Sequence, residues 1–233
     1  MKYPVTWLVI ILAACSGPKS EVEEEVKQDD WIVLFDGTSM DQWHEYNQEG
    51  KGFENWSIQE GVLRLNSTYP NTRSLVTKQE FSSFILSVEW KADSLTNSGI
   101  FWWVQEDFEY PEAFQTGVEA QVLDNTNYPQ RPLIEKSGSV FGLVETNMDA
   151  YTGTGKWNRT IVKVDLQSNE GVIDLNGQLT AKFPVKGPKW DSLVANSGFA
   201  NWEAFGKIPK GKIGLQEYGH SASFRNIKIK RLD

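Results

Sequence analysis

Cysteine is almost missing from this 233-residue chain, whose single copy is Cys15. A chain with one cysteine forms no internal disulfide, so its core must hold the fold unaided. Histidine is nearly as scarce: His44 and His220 lie far apart, without the spacing of a zinc site, and no metal ligands are expected. Basic residues are in the minority. Lys and Arg total 23 against 31 Asp and Glu, and a net charge of −8 excludes the basic footprint that nucleic acid requires. There is no Gly-x-Ser-x-Gly elbow, phosphate-binding loop or dinucleotide fingerprint. No apolar run is long enough to cross a bilayer as a helix.

The one cysteine stands at an informative place. Met1-Lys2 gives a positive start, Val5 to Leu12 is apolar apart from Thr6, and the run ends in Leu12-Ala13-Ala14-Cys15. So short an apolar core, closing on small residues before Cys, is the pattern of a bacterial lipoprotein signal. An ordinary secretory peptide cut after Ala-x-Ala would leave the position of the sole cysteine unexplained. The expectation is removal of residues 1–14, lipidation of Cys15 and attachment to the cell envelope through that lipid. The outer membrane is the expected site, with the protein periplasmic or outward-facing. Residues 15–30 hold Glu21, Glu23, Glu24, Glu25, Asp29 and Asp30 with little apolar content, which is the composition of a solvated tether.

From residue 31 to 233 the pattern is one of short apolar runs separated by turn residues. The runs are Trp31–Phe35, Trp56–Ile58, Val62–Leu65, Phe84–Trp90, Ile100–Val104 and Gly117–Leu123. They continue with Ser139–Val144, Thr160–Leu166, Val172–Leu175, Leu179–Phe183, Lys212–Gln216 and Ser223–Lys230. Several alternate with period two, as half-buried strands do. Asn176-Gly177 between two runs signals a type I′ hairpin. The expected fold is all-β, a two-sheet antiparallel sandwich or jelly roll, with at most one short helix over Trp190–Asn196.

Strand alternation also sorts the candidate site residues. In Gly117–Asp124, Val118, Ala120 and Val122 face one way and Glu119 and Gln121 the other. In Leu86–Lys91, Glu89 opposes Val88 and Trp90. Trp102 and Trp103 are neighbours, so regular alternation sends one into the core and one outward, where it would offer a flat apolar face to a sugar. Near the C-terminus, Gln216 and Tyr218 share a face, and Arg225 is placed to meet a carboxylate or an oxyanion.

Taken in order, these segments resemble the 3-keto-disaccharide hydrolase domain family, whose fold is a concanavalin/laminin-G-like jelly roll. The resemblance runs from Leu34-Phe35-Asp36-Gly37 through Trp56-Ser57-Ile58, Val88-Glu89-Trp90-Lys91 and Asn97-Ser98-Gly99-Ile100. It continues through Val118–Asp124, Gly138–Gly142, Lys156-Trp157-Asn158, Leu175-Asn176-Gly177 and Gly214-Leu215-Gln216-Glu217 to Phe224–Ile229. It implies cleavage of glycosides already oxidised at carbon 3, a 3-keto-glycoside being the substrate. The ketone acidifies the carbon-2 hydrogen, a carboxylate removes it, the enolate expels the group on carbon 1, and water adds to the double bond. On this pattern Glu119 is the expected base, Arg225 or Lys91 the enolate partner, and Glu89, Gln121 and Gln216 bind hydroxyls or shuttle a proton. Trp103, Asp124 and His220 complete the expected substrate-binding set. No cofactor is assigned. The chain departs from the family at Ile173, Lys212 and Tyr218, where relatives often carry His. The alternative to catalysis is a noncatalytic carbohydrate-binding envelope protein using the same groove.

Overall fold

The computed structural model describes residues 30–66 and 73–233. Cys15 and nearly all of the acidic tether lie outside the described residues. The strands are β1 (Ile32–Phe35), β2 (Trp43–Glu45), β3 (Trp56–Gln59), β4 (Val62–Leu65), β5 (Leu75–Phe81), β6 (Phe84–Ala92) and β7 (Asn97–Val104). They continue with β8 (Val118–Leu123), β9 (Trp157–Asp165), β10 (Glu170–Leu175), β11 (Gln178–Phe183), β12 (Gly211–Leu215) and β13 (Ala222–Arg231). Among the described residues one α-helix, α1 (Pro188–Ala195), sits between β11 and β12.

The strands form two antiparallel sheets. The larger runs β11-β10-β9-β6-β13-β4-β3, with β1 also paired to β13; the smaller runs β2-β5-β12-β7-β8. Between them the inward positions of both sheets interdigitate, with Leu63, Val88, Trp90, Ile100, Trp102, Val122, Leu215 and Phe224 all fully buried. Burial of this many large side chains supplies the cohesion that disulfides do not, truncation of one such Phe or Trp to Ala costing about 3–5 kcal/mol. Asn176 and Gly177, with φ of 57° and 80°, close a two-residue hairpin between β10 and β11 in which Leu175 pairs with Gln178. That is the geometry a type I′ turn requires.

Three expectations change. Ser139–Val144 forms no strand: it folds into a tight turn touching β8 through a single Val140–Ala120 bridge. Strands β2 and β5 went unmarked, because Thr77-Lys78-Gln79-Glu80 breaks the apolar pattern of β5. The two tryptophans do not divide between core and surface. Lys212 pairs with Val104 and Gly214 with Phe101, so Trp102 and Trp103 together face the single residue Ile213. This is a β-bulge, and Trp103 takes a positive φ of 60° to make it. Both indoles therefore join the inter-sheet core, and Trp103 Nε1 donates to the Ser82 carbonyl at 3.0 Å. Trp103 is not a sugar platform.

Candidate active site

Strand β8 lies at the edge of the smaller sheet, with Val118, Ala120 and Val122 in the inter-sheet core. Glu119 and Gln121 consequently point to the sheet's other face. Cross-strand pairing fixes what shares that face: His44, Val76, Gly214, Phe101 and Glu119 stand in one row from β2 to β8.

That face is roofed over. The Ser139–Phe141 turn caps the free edge of β8, with Phe141 N donating to the Glu119 carbonyl at 3.0 Å and Gln121 N to Ser139 at 3.2 Å. The loop between β7 and β8 brings Phe114. The segment after α1 brings Phe199, Trp202 and Phe205, spaced by three because successive turns link Trp202 N to Phe199 O and Phe205 N to Trp202 O. Phe199 stacks on Phe205 with centroids 4.1 Å apart and meets Trp202 at 5.2 Å. Beneath this aromatic roof, with Tyr218 at its rim, is a cavity of about 210 Å³ that opens to solvent.

The polar groups of the cavity are Glu119, Gln121, Gln216, Asn97 and Arg131. Glu119 is only 7 % exposed. Burial pushes its carboxyl well above the ordinary carboxylate range, and no cation among the described residues offsets that desolvation. The Gln216 amide approaches the carboxyl, with Nε2 3.5 Å from Oε2, too long for a strong bond. Gln216 is carried there by β12, its backbone N donating to Gly99 O at 2.8 Å. Arg131, the cation of the lining, is engaged with Glu135. The carboxyl lies across Gly99: an added Cβ there would meet Glu119 Oε1 at 2.0 Å. A glycine on the neighbouring strand thus provides the space in which the acid rests.

The structure brings Glu119, Gln121 and Gln216 together and places the other expected residues elsewhere. Glu89 and Arg225 are cross-strand partners on β6 and β13, in the larger sheet, and join each other at 2.7 Å. Bonds from Asn226 and Arg225 outweigh burial and hold the Glu89 carboxyl below its usual range. Arg225 lies 3.9 Å over the Trp157 ring, and Lys91 flanks the same ring at 5.2 Å. Since Val88 and Trp90 face the core, these groups sit on the outer face of the larger sheet, on the far side of the sandwich from Glu119. They are not the enolate partner. Asp124 is fully buried, and its oxygens accept from Leu95 N, Asn127, Tyr151 and Thr154, which ties the β6–β7 loop to the connection between β8 and β9. It has no lone pair directed to a substrate. His220 lies beyond the cavity lining, with Nδ1 against the Tyr218 carbonyl.

The departures from the family pattern have different weights. Ile173 is in the inter-sheet core, where a histidine would reach no cavity. Lys212 pairs with Glu106, which also holds His44 Nε2 at 2.8 Å and Asn47 N at 2.6 Å, away from the cavity lining. Those contacts outweigh burial and lower the Glu106 carboxyl to about 2. Tyr218 alone of the three stands at the cavity. The aromatic roof went unrecognised in the sequence, although Phe199, Trp202 and Phe205 at a spacing of three are a visible signal.

Residues 30–230 match the profile of the 3-keto-alpha-glucoside-1,2-lyase-like domain. A protein of Bacteroides thetaiotaomicron named 3-keto-disaccharide hydrolase is 27% identical over 236 residues, which cover 89% of this chain and 80% of that protein. The crystal structure of a glycosyl hydrolase candidate from Parabacteroides distasonis superposes with a TM-score of 0.80 at 24% identity, covering 89% of this chain and 98% of that one. A carbohydrate-binding module from Bacillus subtilis shares the fold at a TM-score of 0.51 and 12% identity, over 81% of this chain and 95% of its own.

Proposed function

The chain belongs to the 3-keto-alpha-glucoside-1,2-lyase-like domain family, and from that membership and the cavity geometry we propose that it cleaves 3-keto-glycosides by proton abstraction, elimination and hydration. The observation that carries this reading is Glu119: a carboxyl buried under an aromatic roof, open to a sugar-sized cavity and without a neighbouring cation. A ketone at carbon 3 makes the carbon-2 hydrogen acidic enough for a carboxylate to remove, and desolvation strengthens that carboxylate as a base. The proton moves from carbon 2 to Glu119 while the electron pair forms the enolate. The group on carbon 1 then takes that proton from Glu119 and departs as its alcohol, leaving the unsaturated ketone. Water adds across the double bond, with its hydroxyl on carbon 1 and a hydrogen on carbon 2.

Arg225 and Lys91 take no part. The Gln216 amide, beside the Glu119 carboxyl, orients it and offers N–H donors to developing negative charge. The aromatic walls stack on the apolar faces of the sugar and exclude water, which raises the worth of each polar contact inside. The same proposal has the protein held to the bacterial envelope by lipid on Cys15, as the Leu12-Ala13-Ala14-Cys15 segment supports.

The test is incubation of the purified protein with 3-keto-sucrose and 3-keto-trehalose beside their unoxidised parents. Release of 3-keto-glucose from the keto sugars only is expected. Binding without release would leave the protein a lectin and refute the enzyme. For the anchor, Cys15→Ser should shift the protein from the membrane to the soluble fraction, and unchanged membrane partition would remove the lipid from the account.

A further inference from the structure

The roof and floor of the cavity leave one polar atom without a bond. Gln121 is 3 % exposed, and its Nε2 donates to Asn97 Oδ1 at 3.1 Å. Its Oε1 is shut off from water and has no hydrogen-bond partner. The other buried side-chain atoms in that condition, among the described residues, belong to His44, Trp102, Asp174 and Ser223, none of which lines the cavity. A buried carbonyl without a donor is costly, and it persists where a ligand supplies what the protein withholds.

The chemistry of the atom restricts that ligand. One of the two amide N–H groups of Gln121 is committed to Asn97, and the unpaired atom, Oε1, is a carbonyl oxygen that accepts and does not donate. A ketone, an ether or a methyl group facing it leaves it unpaired; a hydroxyl satisfies it. The terminal torsion of a glutamine is broad, so a small turn of the amide brings Oε1 to the cavity without moving β8.

We propose that Gln121 is a specificity residue of the cavity, whose Oε1 accepts from a free hydroxyl at one ring position of the sugar and disfavours sugars deoxygenated or alkylated there. This rests on the reading of the cavity as a sugar site, and goes beyond it by stating the polarity of one contact. Sites built to bond a substrate hydroxyl discriminate against its absence far more strongly than apolar pockets discriminate size.

Two panels test it: 3-keto-glucosides each lacking one hydroxyl, and the corresponding unoxidised methyl glucosides. With the unaltered protein, one keto analogue should lose roughly tenfold to a hundredfold in kcat/KM against its parent. In Gln121→Met, which keeps the length and apolar volume but has no amide acceptor, that difference should vanish while the melting temperature holds. Penalties that persist unchanged in Gln121→Met, with a lowered melting temperature, make Gln121 a structural partner of Asn97 and overturn the proposal. If no keto sugar is turned over but tryptophan fluorescence reports binding of the methyl glucosides that depends on one hydroxyl and on Gln121, the specificity role stands and the reaction falls. If no sugar of either panel binds, both fall.

Discussion

Replacing Gly99 by alanine isolates the position of Glu119 from its chemistry. Gly99 does not occupy the left-handed region, and in strand interiors alanine is favoured over glycine by about 0.5–1 kcal/mol, so the backbone accepts the change. The obstacle is the acid: the new Cβ would lie 2.0 Å from Glu119 Oε1, 2.5 Å from Cδ and 2.6 Å from Cγ. Ordinary contact begins near 3.4 Å, so the carboxyl oxygen must retreat by about 1.4 Å, and the cavity gives it somewhere to go. Overpacking costs about 1–3 kcal/mol where no such exit exists, and the backbone gain offsets part of it. Net destabilisation should be at most about 2 kcal/mol. Activity should suffer more, since a displacement of about 1 Å at a reacting group costs on the order of a hundredfold. Steady-state kinetics on a 3-keto-glucoside and calorimetric melting read the two effects separately. A Gly99→Ala protein with unaltered kcat/KM would refute the placement of Glu119. If the single variant proves too unstable to assay, Gly99→Ala combined with Glu119→Ala should be at least as stable as Glu119→Ala alone. Failure of that rescue would show that the clash lies elsewhere.

Glu119→Gln should lower turnover by roughly a hundredfold or more while a keto sugar still binds, as isothermal titration would show. The same variant has a stability signature: the folded carboxyl is raised, so its favourable contribution is complete below about pH 4.5 and is lost as pH rises through the folded pKa. Melting measured across pH should therefore show Glu119→Gln gaining on the unaltered protein toward alkaline pH, and parallel curves would contradict the burial argument. Glu106 is the opposite case. Its depressed pKa of about 2 stabilises the fold above about 4.5 and ceases to do so as pH falls toward 2, and Glu106→Gln should cost about 3 kcal/mol in urea unfolding at pH 7 and little at pH 2. Arg225→Ala and Lys91→Ala, on the other face of the sandwich, should leave kcat/KM within about twofold, the scale of a substitution away from the site. A large loss in either would restore them to the chemistry.

What could be read from the chain without its structure was whatever depends on the next residue but one. Alternation along β8 gives the core row Val118, Ala120 and Val122 and sends Glu119 and Gln121 to the opposite face, and Asn176-Gly177 gives its hairpin from two residues alone. Alternation failed where it was broken locally, at the bulge that turns Trp103 inward beside Trp102. It was silent on which sheet each strand would join. Glu89 and Glu119 both lie opposite core-facing residues and look equivalent in sequence, yet one is on the larger sheet and the other on the smaller. Partnership between strands is fixed by packing across long stretches of chain, and no short motif records it.

That distinction decides how much the missing histidines matter. Residues that face outward from the two sheets of a sandwich point in opposite directions, so a single site draws on one sheet and on the loops that roof it. Ile173 belongs to the larger sheet and faces inward, which removes it from the question. Lys212 belongs to the smaller sheet, but its ammonium is bonded to Glu106 beside His44, so its charge is used in tying the β7–β8 loop to β2. Of the three positions at which the resemblance leads one to expect histidine, only Tyr218 stands at the cavity itself, and there it adds an aromatic face to a wall already built of Phe199, Trp202 and Phe205. Loss of one rim histidine leaves the buried carboxyl, its glycine seat on Gly99 and the Gln121–Gln216 pair in place. In the proposed reaction the proton-abstracting step draws on those groups, and the rim faces the departing alcohol. Variation at Tyr218 should therefore change which leaving groups are tolerated before it changes whether carbon 2 is deprotonated. Tyr218→His, assayed by exchange of the carbon-2 hydrogen with deuterium and separately by product release, should alter the second rate and leave the first.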